Sequence, residues 1–314
     1  MKKEQRKMFR RRIGYYALRI FTFLNSKVPL GWSYFMGASL GTIAYGTLFR
    51  HRHIALECLS VAFPKLSVRE RKRIARHFFI FLAQGSFECL YFLRKPKMLD
   101  NIRIEGKEHL DKALQNKRGV MMITGHLGNF PLLSMKLVQE GYPVHFVTRP
   151  MRDPKAGDYL HTLRTAAGVK TIFSYPRKEC VNGIIQAMRN NEIVIIQMDQ
   201  NFGTGGVWVN FFGKLAATPV GPIVFALRTN ASIVPAYIVR ESMGKHCVKI
   251  LPQEELIKKE DKDETVLLNT IKISRIIERW VREFPSQWGW IHRRWKSRPS
   301  EKVKNLKFKI EKKA

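Results

Sequence analysis

Residues 119–133 read GVMMITGHLGNFPLL, and they decide the fold. Residues 119–123 are apolar, with no polar face anywhere in that run. A short run of that kind is a strand buried on both sides, the type that belongs to a parallel sheet covered by helices. The last residues have a helical start: Asn129 is a good N-cap residue, and Pro131 suits a first turn, where its missing N–H has no partner to lose. Between strand and helix stand Gly125, His126 and Gly128. In α/β sheets ligands gather at the carboxyl ends of the strands, so this seam faces a crevice. The two glycines let the backbone come close to a substrate. A neutral imidazole there can take a proton from a hydroxyl as that hydroxyl attacks a carbonyl carbon.

Working outward, the same alternation repeats. Residues 144–149, 169–173, 192–199, 232–239 and 246–251 read as further strands, several apolar on both faces. Helical patterns fill 131–140, 156–167, 178–190 and 219–229. Residues 264–283 form an amphipathic helix, with Val266, Thr270, Ile273, Ile277 and Trp280 three or four apart. The expected fold is α/β, with a mixed, largely parallel central sheet flanked by helices. Residues 54–95 read as helical. No internal repeat or low-complexity linker divides the chain.

The charge narrows the partners. Lys and Arg number 56 against 25 Asp and Glu, a net +31. That bears on partners, not on fold, and leaves nucleic acid, an anionic membrane or an acidic protein. Zinc-finger spacing, an RNP-like aromatic motif and a helix-turn-helix are all missing, which argues against nucleic acid. The first fifty residues favour the membrane. A basic opening, MKKEQRKMFRRR, precedes apolar stretches, and Val28 to Phe49 runs 22 residues without a charge. That run is long enough to span a bilayer, or its glycines and serines keep it shallow. Arg50–His53 closes it with more basic charge, as suits an anionic surface. The expected organisation is a basic N-terminus with membrane-associated helices (1–53), a catalytic domain (54–296) and a basic tail (297–314). The four cysteines are scattered, which fits a reducing compartment and no disulfide. His51, His53 and Cys58 lie close in sequence, yet basic surface explains them better than a metal site, and no metal is expected.

Several ordered motifs then carry a resemblance. GHLGNFP (125–131) resembles the HX4(D/E) block of the lysophospholipid and lipid A acyltransferases, in particular the late acyltransferases of lipid A biosynthesis in bacterial inner membranes. VTRP (147–150) is similar to that family's strand end, and LRTAAG (163–168) to its arginine segment. MDQNFGTGGVWVNFFGKLAATPVGPIVFALRTNASIVP (198–235) and FPSQWGWIHRRWK (284–296) follow in the same order. The resemblance spans about residues 14 to 296. It implies a membrane-bound enzyme on the cytoplasmic face of the inner membrane. Such an enzyme moves a fatty acyl group from acyl carrier protein to a hydroxyl of a lipid A precursor or related lipid, without metal or organic cofactor. His126 is then the general base. Arg164 is the group that stabilises an oxyanion or holds a phosphate. Asn129, Arg149, Gln200, Arg293 and Arg294 are candidate substrate contacts, the last two with Lys296 for lipid phosphates or the acidic carrier protein. Anionic membrane lipids are the remaining expected partner, and nucleic acid is not one.

One position departs from the pattern. Five residues after the histidine the family has Glu or Asp, which orients the imidazole; here it is Pro131. Either another carboxylate serves or the base works unassisted. Asp199, at the end of the apolar run 192–199, is the first candidate, with Glu88 and Asp153 behind it. A second reading, from a different class, is a lipid-binding membrane protein of the same fold with impaired catalysis.

Overall fold

The structure, a computed structural model, describes residues 3–203 and 205–300; most of the expected basic tail lies outside the described residues. Ten helices and nine strands are formed among those described. The chain begins with α1 (Lys3–Asn25), α2 (Leu30–Thr47), α3 (Phe49–Ala62) and α4 (Val68–Arg94). Then follow β1 (Ile102–Glu105), α5 (Lys107–Gln115), β2 (Val120–Thr124), α6 (Phe130–Gln139), β3 (Val144–Thr148), α7 (Pro154–Ala166) and β4 (Lys170–Phe173). The rest is α8 (Arg177–Arg189), β5 (Ile193–Gln197), β6 (Val207–Phe211), β7 (Lys214–Thr218), α9 (Gly221–Thr229), β8 (Ser232–Ser242), β9 (Lys245–Ile250) and α10 (Lys262–Glu283).

Seven strands make one sheet in the order β1-β9-β8-β2-β5-β3-β4. The five strands from β8 to β4 are parallel. Strand β9 runs antiparallel to β8, and β1 is parallel to β9, so the sheet is mixed as expected. Burial explains the unbroken apolar runs. On β2, Met121 and Ile123 join one core while Val120 and Met122 join another; on β5, Val194 joins the first and Ile193 and Ile195 the second. Both faces are thus covered, and polar side chains appear on these strands only at their carboxyl ends, Thr124 and Gln197.

All six sequence-read strands are formed. Strand β1, helix α5 and the hairpin β6–β7 were not foreseen. The hairpin turns through Phe212 (φ 55°) and Gly213 (φ 77°), a two-residue loop with both φ positive, as the twist of paired strands demands. The stretch read as a helical start at 219 begins two residues later, because Ala216–Thr218 pair across the hairpin first.

The N-terminal reading needs one correction. Among the described residues no helix is long and apolar enough to cross a membrane. The uncharged run 28–49 is broken at Leu48 (φ −85°, ψ 63°), where α2 ends and α3 begins. Its glycines serve close packing instead. A Cβ on Gly37 would lie 2.8 Å from Gln84 Cα, and one on Gly41 2.5 Å from Ile80 Cα, so α2 rests directly on the backbone of α4. Helix α3 also runs through the expected boundary at 53/54. Helix α4 itself starts on a capping box: Ser67 Oγ accepts from Glu70 N, and Glu70 Oε2 accepts from Ser67 N.

Candidate active site

Strand register brings the reactive pair together. Thr124 of β2 is paired with Gln197 of β5. Two residues beyond that pair lie His126 and Asp199, side by side at the carboxyl edge of the sheet. Asp199 Oδ1 is 2.7 Å from His126 Nδ1, and its Oδ2 accepts from His126 N at 2.6 Å and from Trp288 Nε1 at 2.7 Å. Burial alone would raise this carboxyl, but the facing imidazole and the three hydrogen bonds outweigh it and hold Asp199 down at about 2. It is therefore an anion. Because an anionic carboxylate only accepts, the imidazole proton sits on Nδ1 and the lone pair on Nε2. The Asp199 side chain is 1% exposed and that of His126 27%, so the acid is sealed while the ring remains reachable.

The loop that carries His126 is shaped by close approach. Gly128 has φ 64°, and a Cβ there would fall 1.8 Å from Ile238 O; only glycine fits. Pro131 lies in the first turn of α6, as read from sequence, and Asn129 is its N-cap residue. The Asn129 side chain, however, makes no cap hydrogen bond. It is buried and donates to Gly85 O (3.0 Å) and Glu88 Oε2 (2.8 Å), which ties the loop to α4 at the edge of the cavity described below.

The closing aromatic segment folds back beneath this loop. Gly128 N donates to Gln287 O and Gly289 N to His126 O, both at 3.0 Å, and Leu127 bridges Trp288. The sequence pattern makes Arg294 a contact for lipid phosphates or the acidic carrier protein, but in the structure its side chain is sealed in the interior. Arg294 is 1% exposed and donates to Gln200 O (3.2 Å), Ala217 O (2.6 Å) and Thr218 Oγ1 (2.5 Å). Burial lowers it to about 10; its fork is spent on two backbone carbonyls and the Thr218 hydroxyl. Gln200 Nε2 stands 2.8 Å from His126 Nε2. His292, which sequence reading missed, has its ring 6.1 Å from that of His126 and a pKa lowered by burial first and by His126 second.

Glu88 does not reach His126. It belongs to a second buried cluster, with Tyr34 Oη donating to Oε1, His246 Nε2 at 2.8 Å from Oε1, and Arg240 Nη2 at 2.9 Å from Oε2. This cluster underpins the loop, since Asn129 donates to it and Gln287 pairs with both Arg240 N and O at 2.9 Å. Burial would raise Glu88, yet His246, Arg240 and Tyr34 together bring it down to about 2. A Glu88→Ala chain leaves Arg240 without its buried partner, and should lose about 3–5 kcal/mol in a denaturant titration at neutral pH. The sign with pH follows from the lowered carboxyl. Folded Glu88 binds a proton less readily than an unfolded glutamate near 4, so its stabilisation is complete above about pH 4 and vanishes as pH falls towards 2. The variant should show a shallower acid limb, and an unchanged limb would remove Glu88 as its source. Asp153, the other carboxylate candidate from the sequence, caps α7 by accepting from Ala156 N.

Beside the loop opens a cavity of about 760 Å³, between α4, α6, α7 and β3. Its walls are mostly apolar, including Leu90, Leu93, Phe130, Met135, Phe146 and Leu160, and Gly128 and Pro131 border it. Phe130 links it to the reactive ring, 5.0 Å between centroids. Arg149 and Arg164 also line this cavity, and Arg164 Nε is buried without a hydrogen-bond partner among the described residues. Burial lowers the Arg164 guanidinium's pKa. Arg164 thus stands in the cavity wall rather than in contact with His126 or Asp199. Arg293 is exposed and lines a different cavity, of about 910 Å³, with Lys214 and Lys296. Among the described residues no group of His, Cys, Asp or Glu is placed to hold a metal ion.

The profile of the family described as bacterial lipid A biosynthesis acyltransferase matches residues 1–297. The lipid A biosynthesis lauroyltransferase of Escherichia coli (strain K12) is 27% identical over 88% of this chain and 89% of its own length. The lipid A biosynthesis palmitoleoyltransferase of the same strain is 26% identical over 84% of this chain and 85% of its own. The crystal structure of a 1-acyl-sn-glycerophosphate acyltransferase from Thermotoga maritima superposes with a TM-score of 0.37 at 12% identity, covering 75% of this chain and 97% of that one. With the profile running over all but the last residues, the chain belongs to the bacterial lipid A biosynthesis acyltransferases.

Proposed function

We propose that this protein moves a fatty acyl group from an acyl carrier protein thioester to a hydroxyl of a lipid A precursor or related lipid, with His126 as general base. The observation that carries this reading is the His126–Asp199 pair: an anion sealed beneath Nδ1 leaves the lone pair of the exposed ring edge on Nε2. Family membership supports acyl transfer to a lipid. The reaction needs little else from the chain. The acceptor oxygen bonds to the thioester carbonyl carbon while Nε2 takes its proton; the C–S bond then breaks, and the thiolate recovers that proton. The apolar cavity beside Phe130 suits the acyl chain, and Arg149 and Arg164 on its wall suit the anionic part of a substrate.

The N-terminal helices support work at a membrane surface. On α1, Phe9, Ile13, Tyr16, Ile20 and Phe23 are exposed at spacings of three and four, and on α2 so are Trp32, Met36, Leu40 and Ile43. Each set is one apolar stripe along a helix whose other side packs on the domain. Arg10, Arg12, Arg50 and Arg52 flank the stripes. Helices of this kind lie in the interface, their apolar side in the acyl boundary and their cations on anionic headgroups. The setting we propose is the cytoplasmic face of the bacterial inner membrane.

The test is direct. Detergent-purified protein, given acyl carrier protein thioester and a lipid A precursor, should add one acyl mass to the precursor by mass spectrometry. Binding of the lipid with no acylated product, for the precursor and for a lysophospholipid alike, would replace this reading by that of a lipid-binding protein with lost catalysis.

A further inference from the structure

In the resting structure the nitrogen that must take the proton is already occupied. Asp199 fixes the ring proton on Nδ1, so the lone pair of His126 is on Nε2. The Gln200 amide nitrogen stands 2.8 Å from it, and with a lone pair facing it that amide N–H donates. The main chain of Gln200 is held on both sides. Its carbonyl accepts from buried Arg294, Asp199 precedes it, and the next residue, Asn201, donates through Nδ2 to Ser297 Oγ at 3.1 Å. Only the side chain of Gln200 is free to swing. An amide also has two ends. Its N–H suits a neutral imidazole, and after a half turn its Oε1 suits the imidazolium that forms once a proton has been taken.

This arrangement bears on a competing reaction. Water can follow the same course as a lipid alcohol: its oxygen bonds to the thioester carbonyl carbon, its proton passes to Nε2, the C–S bond breaks, the thiolate takes that proton, and a free fatty acid results. The ring of His126 is open enough for water to reach it. Water arrives with no binding energy beyond its own hydrogen bonds. A lipid alcohol arrives held by the rest of its molecule, and that energy can be used to displace a side chain.

We infer that Gln200 is a positioning residue that closes the basic nitrogen of His126 against water and yields it to a lipid-borne hydroxyl. This rests on His126 being the base. It gives Gln200 a role through His126, distinct from a contact with either substrate.

Two variants test it, Gln200→Ala and Gln200→Met, the second keeping the bulk while removing the donor. Acyl carrier protein carrying a radiolabelled acyl chain is supplied with the lipid A precursor, and label is followed into lipid and into free fatty acid. In both variants the ratio of hydrolysis to transfer should rise about fivefold, the weight of one net hydrogen bond in an equilibrium. In protein labelled with nitrogen-15 at histidine, the His126 Nε2 resonance should shift in both variants as the amide donor gives way to water. An unmoved resonance in Gln200→Met would mean that the contact is not made. A moved resonance with an unchanged ratio would end the guarding role, and an equal fall of both reactions would make Gln200 a part of substrate binding instead. Failure of the base reading is separable: His126→Ala protein would then still transfer, whatever stands at 200.

Discussion

His126→Ala protein should form no measurable acylated lipid, a fall of at least about 10³-fold, the upper part of the range for a positioned general base. The expectation comes from which atoms remain. Among the described residues the other imidazole near the site is His292, whose ring is 6.1 Å from that of His126 and whose Nδ1 is buried without a partner; no hydrogen bond joins it to Asp199. Alanine also strips a buried anion of one partner, although Trp288 Nε1 and the backbone N–H of residue 126 still donate to it. The cost to the fold should therefore be moderate, about 1–3 kcal/mol. His126→Asn separates the two effects. An asparagine amide placed at 126 can still donate to Asp199 but takes no proton at neutral pH. The variant should keep the parent's denaturation midpoint while losing transfer as completely as alanine does. A variant of either kind that transferred at a tenth of the parental rate would remove His126 from the chemistry.

The seam at 125–131 was legible because its signals are local. Apolar residues that face two cores leave no alternation, so β2 and β5 announce a covered sheet, and a strand that ends in Gly-His faces the crevice whatever its neighbours are. Asp199 was legible for a related reason: an acid at the end of a largely apolar strand must find a partner on the same rim, and parallel register supplies His126. What the sequence hid depends on contacts between distant segments. Nothing near Arg294 distinguishes it from Arg293, yet one fork is buried on Ala217 and Thr218, and the other side chain is exposed. Asn129 has the chemistry of a cap and a substrate ligand, but Gly85 and Glu88 of α4 take both of its donors. The Glu88 cluster joins residues 34, 88, 129, 240 and 246 from four elements and the His126 loop, and no periodicity in any one of them signals it. The uncharged run at 28–49 misled because hydropathy counts glycine as neutral space, whereas Gly37 and Gly41 are where α2 touches α4.

Asp199→Asn should be nearly as damaging as removing the imidazole, and by a different route. The two oxygens of Asp199 are not equivalent: Oδ2 serves two N–H donors, His126 N and Trp288 Nε1, whereas Oδ1 faces His126 Nδ1 alone. An asparagine with its NH2 at the Oδ2 position would set donors against donors twice. It will instead keep its carbonyl there and turn its NH2 towards Nδ1. A donor at that point requires the lone pair of the ring on Nδ1, which moves the proton to Nε2, the edge where substrate would meet it. The base is then present, correctly placed and in the wrong tautomer. The Ser-His-Asp hydrolases lose about 10⁴ in turnover from the same change, and a similar loss is expected here. Since the shape of the buried site is preserved, the denaturation midpoint at neutral pH should move much less than in Glu88→Ala. The nitrogen-15 spectrum of His126 distinguishes this cause from disorder: the proton should be found on Nε2 in the variant and on Nδ1 in the parent. Gln200 should then turn its Oε1 towards the ring, because its amide N–H would no longer meet a lone pair. A variant that kept the Nδ1 proton and a tenth of the activity would mean that Pro131 has left this enzyme with a base that needs no orienting acid.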